Sequence, residues 1–267
     1  MTAQSRSEIS ALLEAHGLSP RRHLGQNFLA DPNITRKIVK VAGVGPGSKV
    51  LEIGAGTGTL TRALAAAGAA VIAYEVDERL RSLLEEVTEG FDVELRFADA
   101  SDIDLTTGLG DGTWTMVSNL PYNVGTPLLL DSLRWVPSIT RFVVMMQLEV
   151  AQRLVARPGS PSYGLPSVVA GIHSDARISF KVPAHVFFPP PRVDSAVAVL
   201  DRIPAPGHSE RAVDIAATAF NQRRKMLRRS LTPILEDPAD ALASAGIDPT
   251  ARAEDLSPGD YLRLAVS

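Results

Sequence analysis

The sequence contains no cysteine. That excludes a disulfide framework and any thiolate metal site, and it suits a reducing compartment without requiring one. No run of about 18 apolar residues occurs, so a membrane span is not expected. Residues 1–10 are polar, with no basic segment leading into an apolar one, so no secretory leader is expected and the cytoplasm is the expected location. A positive net charge is missing too: 27 Lys and Arg against 30 Asp and Glu leave −3. Taken over the whole chain, this weighs mildly against a nucleic-acid partner, because phosphate contacts need cations. The G-x-S-x-G, H-E-x-x-H and G-K-[ST] signatures are absent, so neither a nucleophile elbow, a zinc-protease helix nor a phosphate loop is indicated, and no metal is called for.

With 267 residues and 45% hydrophobic content, the chain can form one large domain plus a small one. Its cations are clustered. Arg21, Arg22 and His23 form one group, and Arg36, Lys37 and Lys40 a second. Arg223, Arg224, Lys225, Arg228 and Arg229 form a third, denser group. A solvated helix face is one reading of this last run. Cations this dense repel one another unless an anion joins them, so a phosphate-binding face is the other.

Asp31 and Pro32 read as an N-cap followed by proline at the first helical position, and the apolar spacing of Ile34, Ile38, Val41 and Ala42 predicts a helix over about 32–42. Lys49–Ile53 reads as a buried strand, followed by Gly54, Gly56 and Gly58 and an Ala/Leu-rich helix. Further strands are predicted at 70–74, 93–98, 114–118, 141–147, 176–181 and 193–201, with a helix at 78–87. Strands alternating with helices imply an α/β, Rossmann-like fold. Its mostly parallel sheet would be covered by helices on both faces, with ligands beyond the carboxyl ends of the strands. After a Pro-rich stretch at 204–207 only helical patterns follow. The expected division is therefore 1–203 as the catalytic domain and 204–267 as a small all-helical domain.

The loop Glu52–Gly58 lets backbone approach a ligand at a helix start. A dinucleotide pattern would need glycine at position 59, where Thr59 stands. The E-x-G-x-G-x-G spacing instead resembles the first motif of S-adenosylmethionine-dependent methyltransferases. Glu75 ends the second strand, where an acid can accept from ribose hydroxyls. Asp99 follows the third, where a carboxylate could accept from an adenine amine. Either acid alone also fits a solvated strand end or a cap.

The fourth strand ends in Asn119-Leu120-Pro121-Tyr122. Read alone this is a turn; read beside the cofactor loop it can grip a flat, amine-bearing base. The Asn119 side-chain oxygen and the Leu120 carbonyl could accept the hydrogens of an adenine amine and favour a pyramidal nitrogen with its lone pair freed. Pro121 would hold that carbonyl's direction, and Tyr122 could stack on the base.

These segments, together with Gly25–Leu29, Phe187–Ser195 and Ala219–Lys225, resemble the rRNA adenine N6-dimethyltransferases, specifically the bacterial KsgA type, over nearly the whole chain. The resemblance implies dimethylation of two adjacent adenines in the hairpin loop near the 3' end of 16S rRNA, with S-adenosylmethionine as cofactor, in an immature 30S subunit. It implies that Asn27, Leu29, Gly54, Gly56, Glu75, Asp99 and Asn119 bind cofactor or line its pocket. Asn119, Leu120, Tyr122 and Phe187 would hold the target adenine, with Phe187 closing over its second face, although a core aromatic is the plain reading of Phe187. RNA contacts would come from Arg223, Arg224, Lys225 and Arg228, and the chain would act as a monomer without a membrane partner. Leu148 and Pro161 stand where the family often has lysine. The competing readings are a 23S rRNA enzyme of the macrolide-resistance type, a non-catalytic assembly or transcription factor on the same fold, and a dinucleotide oxidoreductase.

Overall fold

The computed structural model describes residues 3–21, 24–99, 102, 104–121 and 124–267. Its contacts divide the chain into two compact units, Met1–Ala151 with Arg177–Leu200, and Gln152–Ala176 with Asp201–Ser267. The second segment of the smaller unit begins at Asp201. The expected single cut, however, leaves out residues 152–176, which group with the C-terminal helices.

The larger unit opens with α1 (Arg6–Ala15), started by a capping box in which Ser5 accepts from the Glu8 amide and Glu8 from the Ser5 amide. It buries Ile9 and Leu13. A two-residue strand, β1 (Phe28–Leu29), precedes α2 (Pro32–Ala42). The α2 start is as its sequence predicts: Asp31 accepts from the amides of Asn33 and Ile34, and left-handed Gly43 (φ 68°) ends the helix. Strand β2 (Lys49–Ile53) leads into α3 (Thr59–Ala66), then come β3 (Ala70–Glu75), α4 (Arg81–Thr88), β4 (Val93–Phe97), the single turn α5 (Leu105–Gly108), β5 (Trp114–Asn119), α6 (Gly125–Trp135), β6 (Ile139–Gln147) and α7 (Leu148–Leu154).

After α8 (Leu165–His173), the strands β7 (Ser174–Val182), β8 (Phe187–Phe188) and β9 (Ser195–Arg202) complete the sheets. Seven strands lie in the order β4-β3-β2-β5-β6-β9-β7. Parallel pairing joins β4 to β3, β3 to β2, β2 to β5 and β5 to β6. The β2 residues Val50, Leu51 and Ile53 are buried, as a strand between two helical layers requires. Before the proline run, Phe187 and Phe188 form β8, which pairs antiparallel with β1: Phe28 with Phe188 and Leu29 with Phe187.

The smaller unit comprises α8, α9 (Ser209–Phe220), α10 (Leu227–Ser230), α11 (Pro238–Ser244) and α12 (Pro258–Leu264). Helices α8, α9 and α12 pack on one another. Gly171 of α8 allows this closeness, since a Cβ there would sit 2.7 Å from Pro258 Cγ. Tyr163, Phe220 and Tyr261 form the unit's aromatic centre. The two tyrosine hydroxyls are satisfied by carbonyls, Tyr163 by Leu256 at 2.7 Å and Tyr261 by Ala253 at 2.9 Å.

Candidate active site

Strands β2 and β5 are neighbours at the point where the strand order reverses, the place where open α/β sheets bind ligands. Their register runs from Lys49–Trp114 to Leu51–Met116 and then ends. Beyond it the Ser118 hydroxyl, not a backbone carbonyl, accepts the Ile53 amide at 2.9 Å. Over this gap lies a cleft of about 760 Å³, including space open to solvent. Residues 24–29 wall one side and Gly54–Thr57 the other, with Glu75 and Asn119–Pro121 at the strand ends. A second hollow of about 500 Å³ shares Leu24, Gly54, Glu75, Val76 and Pro121, and extends to Ala98 and Asp99.

The glycine loop is shaped by Glu75. One carboxylate oxygen accepts the Gly56 amide at 2.8 Å, and the other accepts the amides of Val76 at 3.0 Å and Asp77 at 2.9 Å. Burial pushes this carboxyl's pKa up, against the pull of those three amides. Gly54 and Gly56 both have positive φ, 83° and 58°, and a Cβ on Gly56 would stand 3.0 Å from the Phe28 ring. Only glycine leaves the cleft open there.

A second acid, the glutamate that heads the E-x-G-x-G-x-G motif, lines the cleft, and the sequence reading gave it no role of its own. Glu52 is 1% exposed, and burial raises its pKa to about 8, with neighbouring Glu75 adding to the effect. Among the described residues, its Oε2 has no hydrogen-bond partner; the Thr61 hydroxyl lies near without a bond of normal geometry and offsets only part of the burial. An orphaned acid in a cleft awaits a cationic or donor group. Its signal in the sequence was its place at the head of the glycine motif, inside a strand apolar after Lys49. Val76 was missed as well; it is 45% exposed beside Glu75 and offers an apolar surface to a flat ring.

The cleft therefore fits the cofactor expected from the sequence. The glycine loop and orphaned Glu52 suit a methionine portion with its ammonium, Glu75 suits a ribose, and Val76 with Asp99 suits an adenine. Asn27 and Leu29 stand in the facing wall. The Asn27 side chain donates to the Gly25 carbonyl at 3.0 Å, holding that wall's turn. The wall is tied down further by Gln26, which donates to Asp77 at 2.9 Å. Burial pushes the Asp77 carboxyl upward, but bonds from Arg79 and Gln26 prevail and hold it at about 2.

Asn119 ends β5 at the floor of the cleft. Its Nδ2 donates to the Asn27 carbonyl at 3.3 Å, which orients the carboxamide and leaves Oδ1 as the end for an incoming donor. The Leu120 amide is spent on the Met145 carbonyl at 3.0 Å, and the Pro121 carbonyl accepts the Gly125 amide at 2.8 Å, fixing the turn. Tyr122 lies outside the described residues, as do Arg22 and His23. Phe187 is not brought to the cleft surface. It is fully buried in the hydrophobic cluster with Phe28, Leu29 and Val186, because its strand position pairs it with Leu29.

Residues 17–267 match the family Ribosomal RNA adenine dimethylase. The chain belongs to this family. Within it, the chain is 45% identical to "Ribosomal RNA small subunit methyltransferase A" of Phenylobacterium zucineum, over 99% of this chain and 94% of that protein. It is 43% identical to the protein of the same name from Leifsonia xyli, over 97% and 96%. Among solved structures it resembles a dimethyladenosine transferase from Plasmodium falciparum, with TM-score 0.77 and 24% identity over 89% of this chain and 95% of that one. It also resembles the 23S rRNA methyltransferase ErmE, with TM-score 0.69 and 28% identity over 90% and 98%. The family's fold and the sheet described above agree.

In the smaller unit the basic segment turns out to be of two kinds. Arg223 is committed: its Nε donates to Glu254 at 2.7 Å and its NH2 to the Pro161 carbonyl at 3.3 Å. Pro161, one of the positions where lysine was expected, therefore contributes its backbone to the arginine. Arg224 and Lys225 are exposed, as is Arg228 on α10, whose charge helps lower the pKa of Asp248.

Proposed function

We propose that this chain transfers methyl groups from S-adenosylmethionine to the N6 amines of two adjacent adenines in the 3'-terminal hairpin loop of 16S rRNA. The observation that carries the reading is the Asn119 carboxamide, which lines the cleft at a strand end together with the glycine loop and spends its Nδ2 on the Asn27 carbonyl, leaving Oδ1 as the acceptor. Small-subunit relatives are 42–45% identical to this chain, against 28% for the 23S enzyme, which favours the 16S substrate over the macrolide-resistance alternative. The partner is an immature 30S particle, the site of action is the cytoplasm, and the enzyme works as a monomer.

An adenine amine is a weak nucleophile because its lone pair is spread into the ring. Asn119 Oδ1 and the Leu120 carbonyl accept its two hydrogens, an arrangement that grows stronger as the nitrogen becomes pyramidal. The bound cofactor supplies a methyl group on a cationic sulfonium. Glu52 meets its ammonium, Glu75 its ribose and Asp99 its adenine amine, while Val76 packs on the ring. No side chain is needed as general base, since the methylated ammonium is acidic enough to lose its proton to water. The protein's contribution is position and fixed dipoles. Tyr122 stacks on the target base and Phe187 closes its other face, which requires Phe187 to leave its buried position when RNA binds. Arg224, Lys225 and Arg228 contact phosphates, and the smaller unit, Gln152–Ala176 with Asp201–Ser267, selects the RNA.

The test is labelled methyl transfer into 30S particles from a strain lacking this gene, followed by mass spectrometry of the rRNA. Dimethyladenosine at two neighbouring positions near the 3' end is the expected result. Absence of label in adenine overturns the proposal.

A further inference from the structure

Residues Gln4 to Arg6 join the two walls of the cleft. The Gln4 side chain is 6% exposed and engages the glycine-loop wall: its Nε2 donates to the Thr57 carbonyl at 3.0 Å, and its Oε1 accepts the hydroxyls of Thr57 at 2.9 Å and Thr59 at 2.5 Å. Two residues on, the Arg6 guanidinium donates to the carbonyls of His185 and Phe187, each at 2.8 Å, and lies 5.8 Å from the centre of the Phe188 ring. The first carbonyl lies just before β8 and the second within it, and the partner of that strand, β1, carries Phe28 and Leu29 in the opposite wall. Between the two anchors, the Ser5–Glu8 capping box sets the turn into α1, and Ile9 and Leu13 fasten that helix to the core. The residues matched to the family begin at 17, so this segment lies outside them.

We infer that Gln4 and Arg6 are positioning residues that form a strap across the cofactor cleft, holding the glycine loop and the β1–β8 ribbon at the separation the cofactor requires. A strap of this kind acts on retention more than on chemistry. Neither side chain lines the cleft, yet their bonds end on Thr57 and Thr59, which do, on Phe187 of the strand paired with β1, and on His185 in the turn that leads into that strand. Gln4 presents both a donor and acceptors to the loop, so the amide is the side chain suited to the position. Arg6 satisfies two carbonyls from one rigid head, a geometry a shorter neutral side chain cannot supply.

This inference rests on the cofactor reading of the cleft, so the experiment begins with calorimetry of the full chain with S-adenosylmethionine. Absence of binding by the parent chain would refute that reading and the strap with it. With binding established, Arg6→Ala is expected to weaken cofactor affinity by about 3- to 10-fold and speed its dissociation by a similar factor. The methylation rate at saturating cofactor should stay within about 2-fold of the parent. Gln4→Glu, which keeps the acceptors but loses the donor to Thr57, should show the same split. The double variant should lose much less than the product of the two losses, because cutting either end releases the strap. Arg6 is exposed, so its variant is expected to fold; thermal midpoints and amide exchange in residues 26–29 and 55–59 accompany each measurement. Cofactor affinity equal to the parent in folded Arg6→Ala overturns the strap and leaves the cofactor reading intact. So do losses that multiply independently.

Discussion

Replacing Glu52 by glutamine keeps the side-chain volume and removes the ionisation, which makes it the sharpest test of the buried acid. In the native protein Glu52 titrates at about 8, against an ordinary 4.5, chiefly because burial penalises the anion. The folded protein therefore holds a proton that the unfolded chain has already released, and stability falls as pH rises from about 4.5 to about 8. Between pH 5 and 8 the loss amounts to about 4 kcal/mol as an upper figure, at about 1.4 kcal/mol per pH unit. For a chain of this size that corresponds to roughly 8–16 °C in thermal midpoint. Glu75 is raised by burial too and contributes with the same sign, so the parent curve retains some slope even in the variant. Midpoints measured from pH 5 to 9 should fall steeply for the parent and much less for Glu52→Gln, with the variant the more stable at pH 9. If an ammonium sits against Glu52, cofactor affinity in the parent should rise with pH through the same window, and the variant should bind more weakly with a flatter profile. Parallel stability curves for the two proteins would refute the burial of an unpaired acid.

Asn119→Ala should lower the single-turnover methylation rate by about 100-fold or more while cofactor affinity changes little, because the carboxamide is worth most at the pyramidal nitrogen; equal rates would remove it from the site. Gly56→Ala forces a side chain into φ 58° and onto the Phe28 ring, so calorimetry should find cofactor affinity sharply reduced in a protein destabilised by roughly 1–2 kcal/mol. Changing Arg224 and Lys225 together to glutamine should make the salt dependence of particle binding shallower by about 2 in log–log slope. An unchanged slope would return them to plain solvated surface, in the turn between α9 and α10 where they stand. Arg223→Ala, by contrast, should loosen the loop at 157–161, visible as faster amide exchange there, since Arg223 is tied to Glu254 and Pro161.

The parts of the fold governed by local chemistry were legible. The α2 helix was readable from Asp31, Pro32 and its apolar spacing, and the strands were readable as apolar runs bounded by glycine or acid. What escaped depended on distant partners. The β1–β8 pair is two residues long on each side and has no periodicity to detect; it exists because Phe28 and Leu29 meet Phe188 and Phe187 across much of the sequence. Residues 152–176 read as part of the catalytic domain because nothing in their composition announces that Gly171 is small to admit Pro258. In the site, the strand-end acids could be placed from spacing alone. Glu52 stood in the motif, but its importance could not be read there, because it lies in the lack of a partner for Oε2 among the described residues. Arg223, Arg224 and Lys225 look alike as a string of cations, and only the Glu254 carboxylate separates the first from the others.

The bond between Glu75 and the Gly56 amide has a consequence for repeated use. An enzyme that places several methyl groups on one RNA must discard spent cofactor and admit fresh cofactor many times without losing its grip on the particle. A loop that depended on its ligand for shape would have to be rebuilt at each exchange. Here the Glu75 carboxylate keeps the loop's backbone in place from within the protein, so the loop holds its shape without drawing on a ligand.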